Sequence, residues 1–179
     1  MTIFTNQIFP ASGEAGTGGG IIQVKYMVKT SPTSYNGSSF GDLGGLSVSI
    51  TPRNGTNKIL IMSSWSMSSS DGSSLPYPRL RLVRHRADLG TTELDKGDAG
   101  GNRTRCMMGT SPAQGSQSQC QPFAFNYIDT PNTTVEVTYK WQSKNYSGRY
   151  LQINGTNTSS DGNVAVAGIA TMIAMEFSS

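Results

Sequence analysis

Charge is scarce in this chain. Of its 179 residues only 14% are Asp, Glu, Lys or Arg, and the formal net charge is +3. A disordered chain carries more charge and fewer apolar residues than this. A nucleic-acid reader carries a denser basic stripe within a recognisable module. The one dense basic group, Arg79, Arg81, Arg84 and Arg86 around Leu80, Leu82 and Val83, reads as a solvated strand face, so no nucleic-acid partner is expected. Histidine is scarcer still. His85 is the only one, set between Arg84 and Arg86, and two flanking cations oppose its protonation, which weakens any Ser-His-Asp or Cys-His arrangement built on it. Cys106 and Cys120 are the only cysteines. With one histidine they fall short of a zinc ligand set, and they can close a disulfide or stay reduced. No run approaches the ~20 apolar residues that span a bilayer, so no membrane partner is expected. The first ten residues carry neither the basic start nor the apolar run of a signal peptide, which leads to the expectation of synthesis in the cytoplasm.

Other chemistry is thin as well. The eleven acids are dispersed, and only Glu93, Asp95 and Asp98 lie close together. Paired carboxylates can cut glycosidic bonds, and oxygen ligands can hold calcium, but this cluster lacks the regular spacing of a calcium loop. No Gly-rich phosphate loop precedes a helix, because no segment reads as a convincing helix. The expectation is a chain without catalytic residues, metal or cofactor.

What the chain does have is Gly, Ser, Thr and Asn in abundance, with apolar residues alternating between them. That composition favours short strands joined by many turns. Ile22, Val24, Tyr26 and Val28 alternate with Gln23, Lys25, Met27 and Lys29, and the period of two turns one set inward. Leu46, Val48 and Ile50 alternate before Pro52. The run Ile59, Leu60, Ile61, Met62 suggests a central strand covered on both faces. Leu80 to Arg84 is a further strand. Phe123, Phe125 and Tyr127, then Val135, Val137, Tyr139 and Trp141, flank the turn at 129–132 and read as an antiparallel hairpin with aromatic cross-strand partners. Tyr150, Leu151 and Ile153 follow, ending at Asn154-Gly155. About eight strands in one domain, with room for a single core that buries roughly 70% of the unfolded surface, predict an all-β antiparallel sandwich with jelly-roll topology.

The two ends differ from the middle. Residues 1–20 hold an apolar cluster, Ile3, Phe4, Ile8 and Phe9, followed by a Gly-rich linker. They are read as a particle-anchoring segment ahead of a domain at 21–179. Packing on its own domain as an edge strand is the other reading of that segment. The stretches 66–77 and 109–121 read as long polar loops, the usual place for outside contacts. Residues 164–177 are the most apolar. Ile169, Thr171, Ile173 and Met175 are expected on one face and Ala170, Met172, Ala174 and Phe177 largely on the other. A strand apolar on both faces needs two covers: a neighbouring subunit, which makes Ile169, Met172, Ile173, Met175 and Phe177 the candidate subunit interface, or the opposing sheet and a loop.

Several stretches taken in order resemble small virion surface and tail-fibre-tip proteins of tailed phages of marine bacteria: 20–24 (GIIQV), 45–52 (GLSVSITP), 57–61 (NKILI), 82–84 (LVR), 97–105 (GDAGGNRTR), 127–131 (YIDTP) and 174–177 (AMEF). The resemblance covers nearly everything after residue 20. Its strand pattern is similar to the trimeric jelly rolls of the tumour necrosis factor and complement globular-head families, which implies a homotrimer with the final strand near the three-fold axis. Within 97–105, Asp98 can pair with Arg103 and Arg105 and pin the glycine-rich turn. The resemblance implies a structural protein on the virion surface, with other virion proteins (major capsid or tail) as partners. A fibre carries a long stalk ahead of such a head, whereas about twenty residues stand there in this chain. A capsid decoration or knob protein is therefore the first expectation, and a tail tip that recognises a host surface glycan or protein is the second.

Overall fold

The alternation read from the sequence becomes eleven strands. The computed structural model describes residues 20–69, 77–109, 120–146, 150–156 and 167–178. They form β1 (Ile21–Lys29), β2 (Thr33–Tyr35), β3 (Gly41–Ile50), β4 (Lys58–Ser69), β5 (Arg79–Arg86) and β6 (Gly90–Glu93), then β7 (Met108–Gly109), β8 (Gln121–Asp129), β9 (Val137–Lys144), β10 (Leu151–Ile153) and β11 (Ala170–Phe177). No helix occurs among the described residues. One sheet runs β1-β11-β4-β10-β2, with β8 on the other side of β4. The second runs β3-β9-β5-β6, with β7 beside β5. Every pairing is antiparallel. The chain crosses between sheets at β2–β3, β3–β4, β4–β5, β7–β8, β8–β9 and β9–β10. This is an antiparallel sandwich with wound, jelly-roll-like connections, as expected.

The core lies between the sheets and is centred on aromatic rings. Trp65 of β4 stacks on Phe123 of β8 with centroids 4.0 Å apart. Trp141 of β9, in the facing sheet, meets both edge-on at 5.3 Å. Each such pair contributes about 0.5–1.5 kcal/mol beyond the area it buries. Aliphatic side chains from six strands close around them, among them Leu46, Ile50, Ile61, Leu82, Leu151 and Met172. In β3 a register shift between Asp42 and Ser47 brings both Leu43 and Leu46 into the core although they are three residues apart. Gly45 in this bulge has φ +79, a conformation that glycine adopts without steric cost.

Two sequence readings need correction here. The segments 123–127 and 135–141 are not a hairpin. β8 pairs with β4, whereas β9 pairs with β3 and β5. The intervening residues arch from one sheet to the other, so Phe125 and Trp141 meet across the sandwich at 5.6 Å rather than side by side. Val135 precedes β9 and is 43% exposed. The expected loop at 66–77 is also shorter at its start, because β4 runs on to Ser69. Residues 70–76 and 110–119, like the anchoring residues Ile3, Phe4, Ile8 and Phe9, lie outside the described residues.

Trp141 has a polar tether as well as its packing: its Nε1 donates to Ser63 Oγ at 2.9 Å, with both residues buried. Trp141→Phe should cost about 2–4 kcal/mol, from lost volume and an unpaired hydroxyl. In urea denaturation, adding Ser63→Ala should then cost less than Ser63→Ala costs alone. Simple additivity would mean the hydrogen bond contributes nothing.

Candidate functional site

A sheet packed in a sandwich normally turns its apolar alternates inward and its polar ones to solvent. β1 does the reverse. Its register with β11 sets Lys25 opposite Ala174, Met27 opposite Met172 and Lys29 opposite Ala170, on the side where those β11 residues are fully buried. Val24, Tyr26 and Val28 stand on the outer side at 46%, 74% and 53% exposure.

The pairing extends this pattern across the sheet in three rows of four. Val24, Met175, Leu60 and Ile128 form the first, Tyr26, Ile173, Met62 and Asn126 the second, and Val28, Thr171, Ser64 and Ala124 the third. None of these side chains is charged. Met62 and Ile128 are 37% and 55% exposed, and Ile169 continues the surface just before β11. Contiguous exposed apolar surface of this kind marks a site of interaction with another surface.

The outer face of the five-stranded sheet is the opposite in character. Arg81 there pairs with Glu93, and Lys140 pairs with Asp42 at 3.2 Å. The molecule therefore has one ordinary solvent face and one built like half of an interface.

A buried carboxylate holds the edge of the apolar face in place. Glu176 is fully buried on the inner side of β11. Its Oε1 accepts from the Arg53 backbone N at 2.8 Å and from Asn57 Nδ2 at 2.6 Å, and its Oε2 accepts from Gln23 Nε2 at 2.5 Å. β1, β11 and the β3–β4 connection are thus tied at one point. Burial alone raises the carboxyl pKa. The donors from Asn57, Gln23, Arg53 and Asn54 outweigh it and leave Glu176 below the usual carboxylate range. Nothing in the sequence signalled this role except a lone acid inside an apolar strand.

A second buried polar group joins the two sheets in the same cross-strand row, across Ile59 from Glu176. Arg84 of β5 donates to both carboxylate oxygens of Asp129 at the end of β8, at 2.9 and 2.7 Å. Tyr139 Oη donates to the same carboxylate at 2.7 Å, and burial first, then the Asp129 charge, push the Tyr139 pKa upward. Arg84 is therefore not part of a solvated face, because alternation along β5 turns it into the sandwich.

The predicted interface residues divide. Ile169, Ile173, Met175 and Phe177 lie on the outer face, while Met172 is fully buried in its own core. Phe177 shares the outer face with Met175, since the inner position between them is Glu176. The ion pair expected of Asp98 with Arg103 and Arg105 is not formed among the described residues. Arg105 Nε donates instead to the Gly97 carbonyl at 2.8 Å, and on so exposed a loop a carboxylate gains little from pairing. Glu93 is taken by Arg81 and Lys96, and Asp95 accepts from Tyr127 Oη at 2.9 Å. A ring nitrogen of His85 lies 3.1 Å from Thr91 Oγ1. Cys106 and Cys120 are free thiols, and burial pushes both upward in pKa.

No family model matches this chain, and no curated protein matches it. Among solved structures, the chain is similar to one described as "Structure of infectious bursal disease virus Gx strain", at 8% identity and a TM-score of 0.39. The match covers 88% of this chain and 41% of that one, so this chain spans well under half the length of that neighbour. A likeness at this level decides nothing about function.

The Glu176 contacts make a pH prediction. A folded pKa below the unfolded value of about 4.3 means that the stabilisation is present above that pH and is lost as pH falls through the folded value. Glu176→Gln should cost about 1–3 kcal/mol at neutral pH and less as the solution is acidified, as read from urea midpoints. A deficit that stays constant with pH would show that the charge is not what the four donors hold.

Proposed function

We propose that this chain is a non-enzymatic structural protein of a virus surface, a homotrimer assembled through the outer face of its six-stranded sheet. Within that class, the first reading is a capsid decoration or knob protein of a tailed phage, docked on the major capsid protein through residues 1–20. The observation that supports assembly is the apolar face on β1, β11, β4 and β8, whose three central rows carry no charge. The three-fold symmetry and the phage context rest on the sequence resemblance to small virion proteins with trimeric jelly-roll heads. A receptor-binding tail tip is the second reading. The exposed Tyr77 and Tyr146 beside the opposed Arg79 and Lys144, at one end of the five-stranded sheet, favour it.

A lysine at the centre of the face separates assembly from folding. Ile173→Lys should give a monomer by light scattering with an unchanged circular dichroism spectrum, because β11 keeps its inner contacts through Met172 and Ala174. A wild-type chain that is monomeric, or a variant that stays trimeric, would contradict the assembly reading. Quantitative mass spectrometry of purified particles tests location. Copies in stoichiometry with the major capsid protein support decoration, a small number per particle supports the tail, and absence from particles overturns the virion reading.

A further inference from the structure

The far end of the five-stranded sheet carries a feature that neither folding nor assembly explains. β5 and β9 pair so that Arg79 stands directly opposite Lys144. Both lie on the outer face, in line with Arg81 and Gln142, whose side chains are bonded at 2.8 Å. Directly opposed residues of an antiparallel pair have Cβ atoms about 5 Å apart, and like charges there repel. The neighbouring cations on this face are neutralised: Arg81 and Lys96 by Glu93, and Lys140 by Asp42. Arg79 and Lys144 have no carboxylate partner among the described residues. Among the described residues Arg79 bonds to the Tyr77 carbonyl, at 3.4 Å.

Two residues before Arg79 and two after Lys144 stand Tyr77 and Tyr146. Their rings meet edge to face at 6.2 Å and 88°, yet they remain 46% and 57% exposed. Tyr77 holds φ +40, a conformation that a bulky L side chain rarely adopts, and it does so ahead of Pro78, which restricts it further. The other non-glycine residues with positive φ among those described are both asparagines, which tolerate it. A strained tyrosine, an exposed ring pair and a cation pair with no carboxylate partner among the described residues thus occupy one corner of this face.

We propose that Arg79, Lys144, Tyr77 and Tyr146 form a binding site for an acidic sugar unit of a surface polysaccharide. The two cations would share its carboxylate or sulfate, and the open ring face would take the apolar face of the sugar. One pair of opposed cations fits one anionic group. A nucleic-acid strand would need a basic groove that tracks several phosphates, and here the adjoining Arg81 and Lys140 already hold acids. The site deepens the receptor-binding reading. It stands on the face opposite the assembly surface, so it holds or fails without regard to the trimer.

The test is titration calorimetry of the full chain with an oligo-uronate, a sulfated oligosaccharide, a neutral glucan oligomer and an oligo-dT. The expected result is binding of at least one acidic oligosaccharide, weakened by salt, with none of the glucan. Arg79→Gln combined with Lys144→Gln should reduce that binding about tenfold or more. Its melting temperature should not fall, because the substitution removes a repulsion. Tyr146→Ala should weaken binding while leaving its salt dependence intact. Failure of both acidic oligosaccharides to bind, undiminished binding by the double variant, or preferential binding of oligo-dT through the same residues would overturn the proposal.

Discussion

A β-sheet has two faces, and a two-layer sandwich covers only one face of each sheet. Everything distinctive about this molecule follows from how it treats the two faces left over. On the five-stranded sheet the leftover face carries ion pairs such as Lys140–Asp42, as solvent requires. On the six-stranded sheet it carries Val24, Tyr26, Ile173, Met175 and Ile128 in three uncharged rows, with Lys58 opposite Phe177 at one end. Water penalises that arrangement in proportion to the apolar area exposed, and a second protein surface relieves the penalty.

The interior makes such a face possible. The Trp65–Phe123–Trp141 cluster and the aliphatic residues around it give the sandwich its own core, so folding does not depend on the outer face. Glu176 then fixes β1, the most exposed strand of that face, against β11 and the β3–β4 connection. Several donors on one buried carboxylate hold geometry where packing alone would let an edge strand slide. The result is a preformed surface, and a preformed surface loses less ordering entropy on association.

Much of the fold was legible as alternation. The strands around 22–28, 46–50, 59–65 and 170–177 and the sandwich class follow from a period of two and from turn-rich composition. What alternation cannot give is direction, since a period of two separates two faces without saying which one is inward. In β1 the apolar set faces out, and only pairing with β11 reveals it. The 123–127 and 135–141 segments had the pattern of a hairpin, but the same pattern serves two strands facing each other across a core. Phe177 was placed on the wrong side because Glu176, an acid in the buried register, was not read as a core residue. Met172 was counted in the interface because a doubly apolar strand does not show which side meets its own core. The Arg79–Lys144 opposition was invisible for a similar reason: the two residues are 65 positions apart in the sequence and adjacent only through the β5–β9 register.

The claim that the outer face of the six-stranded sheet is covered in the native protein is most directly tested by hydroxyl-radical footprinting of the wild-type chain at micromolar concentration. Tyr26, Met62 and Met175 are reactive side chains on that face, and Tyr26 is 74% exposed in the single chain. The account predicts that all three are protected, while Tyr77 and Tyr146 on the opposite face are oxidised freely. Oxidation of Tyr26 and Met62 as fast as of Tyr146 would show that the face meets water, and the account of assembly would fail.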